Sequence, residues 1–159
     1  ADTPPEIQYH FIEQTVQPGA EISLKCSARG RPTPKIHWNL DGFPIPNHAG
    51  FVIGQFVTGQ GDVISHANIS HVATKHGGRY ECRASNKAGE DSHEERLNVY
   101  GPPVVREMAT QTAVVGEDFR ISCPVGGFPI KRISWFKGLC PPCMPSVPVF
   151  RACPPCLSS

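Results

Sequence analysis

Four cysteines near the C-terminal end carry the strongest chemical pattern of the chain. Cys140 with Cys143, and Cys153 with Cys156, form two CxxC pairs. Two such pairs supply four thiolates, the ligand set of a tetrahedral zinc site. Both inner dipeptides are Pro-Pro, at Pro141-Pro142 and Pro154-Pro155. Proline has no N–H, so it cannot donate the backbone hydrogen bonds that steady metal-bound thiolates. The same Cys-Pro-Pro-Cys string suits interchain disulfides. A redox role of the CxxC type is disfavoured, because no βαβ pattern surrounds the cysteines. Three readings therefore stand side by side: a metal site, interchain disulfides, or a frame-shifted, misjoined or alternatively spliced end.

The remaining reactive residues point to no catalytic set. His66, His71 and His76 recur every five residues. On a strand, five steps reverse the face, so these rings cannot converge on one metal and are expected to be solvated. His37 and His93 are read the same way. No Ser/His/Asp or Cys/His spacing suggests nucleophilic catalysis, and no Gly-rich phosphate loop occurs. The chain is accordingly read as a non-enzyme without a cofactor. Asn68-Ile69-Ser70 is the single N-glycosylation sequon. Asn68 lies between two inward residues of a strand pattern, so it faces solvent and is open to modification.

Composition narrows the partner class. The chain has 159 residues, 18% of them charged, with a formal net charge of +1. A near-neutral surface argues against nucleic acid or a membrane surface as the main partner. Seventeen prolines and fifteen glycines suggest many turns and few long helices. No apolar run reaches the length of a membrane span. The first residues lack the charged and apolar regions of a signal peptide, so the chain reads as an internal or mature piece. Seven cysteines suit an oxidising compartment, and the odd count leaves at least one unpaired within the chain.

The elements that position these residues are strands. Ile22, Leu24, Cys26 and Ala28 alternate with Ser23, Lys25 and Ser27, the period of a half-buried strand. Ile36, Trp38 and Leu40 form the inward face of the next strand, and Asp41-Gly42 is a hairpin-type turn. Ile7 to Ile12 reads as an apolar edge strand. Phe51 to Val57 and Val63 to Val72 read as two more, around Thr58-Gly59-Gln60-Gly61-Asp62. Tyr80, Cys82 and Ala84 point inward, with Arg79, Glu81 and Arg83 outward. Asn86-Lys87-Ala88-Gly89 turns into a last strand ending at Leu97, Val99 and Tyr100.

The pattern then repeats. Cys26 precedes Trp38 by twelve residues, and Cys123 precedes Trp135 by twelve. Thr15 and Thr112, Gly19 and Gly116, Gly30 and Gly127, Pro32 and Pro129, and Ile36 and Ile133 match at the same offset. This is a domain-sized repeat. Cys26, Trp38 and Cys82 resemble the skeleton of an immunoglobulin sandwich, in which a buried Trp packs on an inter-sheet disulfide. The resemblance implies a Cys26–Cys82 disulfide, Leu24 and Trp38 in its core, and Tyr80 in the tyrosine-corner position. Closing so long a loop contributes roughly 4 kcal/mol in the chain-entropy model.

Longer strings narrow the resemblance. Phe11-Ile12-Glu13-Gln14-Thr15, Ser23-Leu24-Lys25-Cys26, Trp38-Asn39-Leu40-Asp41-Gly42 and Gly61-Asp62-Val63-Ile64-Ser65-His66 resemble the arthropod Down syndrome cell adhesion molecules, the Dscam family. Gly89 to Tyr100 and Cys123-Pro124-Val125-Gly126-Gly127-Phe128-Pro129-Ile130 carry the similarity into the second repeat. It covers residues 4 to 138. It implies an extracellular ectodomain segment of a plasma-membrane glycoprotein. It also implies homophilic recognition of the same family, serving neuronal self-recognition, axon guidance and neurite self-avoidance. The alternative it leaves is a secreted immune-recognition protein, dimerised by disulfides through the tail. His76 departs from the superfamily pattern, which has Asp there; the loss implies a modest surface interaction given up.

The expected fold is all-β. An I-set immunoglobulin domain spans 4–100, the N-terminal part of a second spans 101–138, and an irregular Cys/Pro-rich tail spans 139–159. Gly101-Pro102-Pro103 reads as a short, stiff linker. Trp135 is assigned to the core of the second repeat. Phe119, Ile121, Cys123 and Val125 would form an apolar face without an opposing sheet, so this half is expected to be poorly folded alone.

Overall fold

The structure, a computed structural model, describes residues 1–45 and 50–135. In chain order the strands are β1 (Thr3–Tyr9), β2 (Gln14–Val16), β3 (Ile22–Arg31), β4 (Lys35–Leu40), β5 (Phe43–Pro44), β6 (Phe51–Val57) and β7 (Val63–Ile69). A 3-10 turn (Thr74–His76) leads into β8 (Gly78–Asn86), β9 (Gly89–Val99), β10 (Gly101–Val105) and β11 (Val125–Phe128). One sheet has the order β1-β3-β7-β6, a second β2-β9-β8-β4-β5, and β10 pairs with β11. The first two form an immunoglobulin sandwich.

Alternation builds the core. Ile22, Leu24, Cys26 and Ala28 of β3 and Val63, Ala67 and Ile69 of β7 are buried from one side. Ile36, Trp38 and Leu40 of β4 and Tyr80, Cys82 and Ala84 of β8 close it from the other. A disulfide joins Cys26 to Cys82 across the sheets, with the Cα atoms 6.5 Å apart. The Trp38 indole N–H donates to Ser65 Oγ at 2.9 Å, and Ser65 in turn donates to the Gly54 carbonyl at 2.9 Å. A buried hydroxyl in the core is therefore satisfied in both directions. The Tyr80 hydroxyl donates to the His76 carbonyl, closing the corner before β8.

Asp41 and Gly42 both have positive φ, 51° and 83°. That is the backbone of a tight β4–β5 hairpin, which asparagine, aspartate and glycine tolerate best.

Several expectations are corrected. Ile7 to Ile12 is not one strand. β1 runs antiparallel to β3, whereas β2 runs parallel to β9 in the other sheet. Between them the chain crosses the sandwich edge, and Phe11 drops into the core with its ring 5.5 Å from Trp38. His76 is buried, only 4% exposed. β7 ends at Ile69, so the strand periodicity that put His76 in solvent does not extend to it. Its Nδ1 accepts the Ala73 N–H at 2.8 Å, and Phe51 meets the ring edge-on at 5.2 Å.

Gly101-Pro102-Pro103, expected as a short, stiff linker, is the start of β10, paired with β11. Residues 119–123 form no strand. Trp135 is 43% exposed rather than core, because no described sheet lies over it.

Candidate interaction surfaces

An arginine clamp joins the second repeat to the first. Arg106, just after β10, donates from Nη1 to the Lys75 carbonyl at 2.7 Å and to the Gly77 carbonyl at 2.5 Å. Its Nη2 pairs with Asp41 Oδ2, and Asp41 Oδ1 also accepts the Arg79 N–H at 3.0 Å. The sequence places these groups well: the Asp41 turn, the 3-10 turn and the start of β8 meet at one end of the sandwich. Arg106 thereby donates to one carbonyl in the 3-10 turn, that of Lys75, and to one just after it, that of Gly77. Burial pushes the Asp41 carboxyl up, opposed by the Arg79 N–H and by Arg106. Burial pushes Arg106 down, opposed chiefly by Asp41. Each group also has hydrogen bonds beyond the pair.

Close packing completes the joint. A Cβ on Gly126 of β11 would overlap the Thr74 carbonyl oxygen, so only glycine fits there. Tyr100 meets Phe128 edge-on at 5.5 Å. Beside the clamp lies an open groove of about 540 Å³, lined by Asp41, Arg96, Asn98, Cys123, Ile133 and Trp135 among others. Cys123 has no disulfide partner among the described residues, and burial pushes its thiol up.

The outer face of the five-stranded sheet is charged. Asn39 donates to Glu81 at 2.8 Å. Arg83 lies 3.6 Å from Glu81 and 3.8 Å from Glu90, and Arg79 lies 3.6 Å from Glu94. Such solvent-facing pairs stabilise by about 0–1 kcal/mol each. His37 is exposed beside them, and His93 is half-buried, stacked on His10 with ring centroids 3.4 Å apart.

Asn68 is half-buried on the outer face of the four-stranded sheet, between Ser23 and Val52 in register. Cys140, Cys143, Cys153 and Cys156 lie outside the described residues, as does the tail as a whole. Among the described residues no group of three or more His, Cys, Asp or Glu is placed to hold a metal ion, and no helix is long and apolar enough to cross a membrane. Sequence reasoning missed Arg106 and Asp41. The only signal was an aspartate at a turn position, which turn geometry already explains.

The immunoglobulin domain family model matches residues 4–86. The chain belongs to the immunoglobulin family. Its similarity within that family runs to the Dscam cell adhesion molecules and crosses both repeats. It is 56% identical over 137 residues to the cell adhesion molecule Dscam2 of Drosophila melanogaster, covering 86% of this chain and 7% of that protein. It is 40% identical over 136 residues to the cell adhesion molecule DSCAM of Homo sapiens, with the same coverage of 86% and 7%. The chain thus spans about 7% of the length of these relatives.

A crystal structure of the N-terminal eight immunoglobulin domains of Down Syndrome Cell Adhesion Molecule superposes with a TM-score of 0.81 at 45% identity, over 85% of this chain and 17% of that one. Titin domains Z1Z2 in complex with telethonin share the immunoglobulin fold, at a TM-score of 0.57 and 24% identity, over 64% of this chain and 49% of that one. The Dscam relatives are named as adhesion molecules, and no enzyme family is indicated.

Proposed function

We propose that this chain is an extracellular segment of a homophilic adhesion receptor that recognises further copies of its own kind on an apposed cell. The observation that carries this reading is the 56% identity to an adhesion molecule, sustained across both repeats. The docked junction supports it. A clamp that fixes one domain against the next lets a receptor present several weak contacts in a set geometry, which raises avidity. Outward residues of the five-stranded sheet, Arg79, Glu81, Arg83, His37 and Asn39, are the polar contacts this reading puts forward. A glycan on Asn68 would cover the opposite sheet and leave that face free. The test is clustering of beads coated with the chain. Same-chain beads are expected to cluster together and to exclude beads carrying an unrelated immunoglobulin pair. Clustering that ignores the identity of the coat overturns the reading.

A further inference from the structure

The groove beside the Arg106 clamp has two unlike walls. One is apolar and belongs to the second repeat, with Phe128, Ile133 and Trp135. The other is polar and belongs to the first repeat, with Asp41, Arg96 and Asn98. Ile133 is 47% exposed and Trp135 43%. Covering such side chains is favourable, because it removes apolar surface from water. Cys123 stands in the same groove, half-buried, without a disulfide partner among the described residues.

The chain itself supplies a cover. Trp135 is the last described residue, and Phe136-Lys137-Gly138-Leu139-Cys140 follow it. Five residues span at most about 17 Å. That tether is long enough to return the Cys140 sulfur to Cys123 and too short to hold it far away. Lys137-Gly138 offers a place to reverse, since glycine enters turn conformations at no steric cost. Leu139 then brings an apolar side chain beside the sulfur.

The cysteine inventory points the same way. Seven cysteines, two of them joined as Cys26–Cys82, leave Cys123 and the four of the Cys-Pro-Pro-Cys motifs. A Pro-Pro spacer works against closing either motif on itself. The extended helix that prolines favour rises about 3.1 Å per residue, so three steps separate the two Cα atoms by about 9 Å. A disulfide needs them within about 7 Å. Each tail cysteine therefore seeks a partner outside its own motif. For Cys140, the thiol within the reach of its tether is Cys123. The same stiff spacer carries Cys143 about 9 Å past Cys140, so the two do not serve Cys123 equally.

We propose that Cys123 and Cys140 form an intrachain disulfide that draws residues 136–140 over the groove and covers Trp135. Cys140 follows Cys123 far more closely than Cys82 follows Cys26, 56 residues on, so this bridge is no copy of the inter-sheet disulfide in the first repeat. In the reaction the two sulfurs bond to each other. Two protons and two electrons pass to a small disulfide such as oxidised glutathione, whose S–S bond breaks to give two thiols. Cys143, Cys153 and Cys156 remain, an odd set that leaves at least one for a second chain or as a thiol. Alkylation of the Cys123 thiol belongs to the reduced chain.

The test uses the full chain secreted into an oxidising medium. It is alkylated without reduction and digested with trypsin at mildly acidic pH, which suppresses thiol exchange. Monomers are first separated from covalent dimers by non-reducing electrophoresis. The monomer should yield the peptide Ile121–Lys131 joined to Gly138–Arg151, with fragmentation placing the bond at Cys140 rather than Cys143. Acrylamide quenching of Trp fluorescence reads the cover. Trp38 is buried, so the quenchable signal comes chiefly from Trp135. The quenching constant should be at least twofold higher in Cys123→Ser than in the native chain, and Cys140→Ser should show the same rise.

Cys123 found in the native monomer as a thiol, capped by glutathione, or joined to any cysteine other than Cys140 overturns the inference. A Cys123–Cys140 bridge that leaves quenching equal in the native chain and in Cys123→Ser overturns it too, because the groove would then stay uncovered.

Discussion

Removing the Arg106 guanidinium is the sharpest perturbation of the junction. Arg106→Met keeps much of the apolar stem and deletes three charge-assisted contacts: to Lys75 O, Gly77 O and Asp41. Asp41 is 7% exposed and would keep one donor, the Arg79 N–H. Breaking a buried ion pair from one side costs about 3–5 kcal/mol. The Arg106 side chain is partly solvated, at 19% exposed, so the lower end applies, about 3 kcal/mol. Asp41→Asn is the matching change, since asparagine tolerates the positive φ of 51° that alanine would resist. It leaves Arg106 with two carbonyl acceptors and should cost less, about 1–2 kcal/mol. The double variant strands no charge opposite a missing partner. Its cost should fall short of the sum by about 1–3 kcal/mol.

Urea unfolding followed by Trp fluorescence gives the four free energies. Hydrogen exchange locates the effect, with amides of β10 and β11 losing protection before those of β3 and β8. A strictly additive cycle, or an Arg106→Met cost under about 1 kcal/mol, would refute the claim that this pair holds the two repeats together.

Three further outcomes follow from the geometry. Cys82→Ala removes the inter-sheet disulfide and should destabilise by about 2–5 kcal/mol, read as a lowered urea midpoint; an unchanged midpoint would sink the assignment. Secreted from eukaryotic cells, the chain should lose mass on treatment with an N-glycosidase, and Asn68→Gln should abolish that shift; an identical shift in the variant would exclude Asn68. Burial holds the Cys123 thiol above its usual range, so at neutral pH little thiolate forms. Peptide mapping should find it alkylated more slowly than an unfolded-chain thiol, and the rate should rise with pH; equal rates would contradict the burial.

Much of the sandwich was legible because its signals are local. Alternation in β3, β4 and β8 marks the inward residues directly, and Asp41-Gly42 marks its turn. What escaped depends on contacts between distant residues. The switch of the first strand between sheets at Phe11 leaves no period to read. The burial of His76 comes from Phe51 and the Tyr80 corner closing over a turn. Arg106 reaches Asp41 across 65 residues, and nothing in either local sequence announces the pairing. Trp135 had the right spacing from Cys123, but spacing alone cannot supply the sheet that would cover it.

The most direct test of the adhesion reading replaces residues 4–100, within a complete receptor ectodomain of this family, by an unrelated immunoglobulin domain of the same length. Beads bearing the intact ectodomain and the replaced one are compared for self-clustering at equal coating density. The account predicts at least a tenfold fall in homotypic clustering on replacement, with mixed beads segregating by type. Undiminished clustering of the replaced ectodomain, with both types mixing freely, would contradict it and leave this segment a spacer.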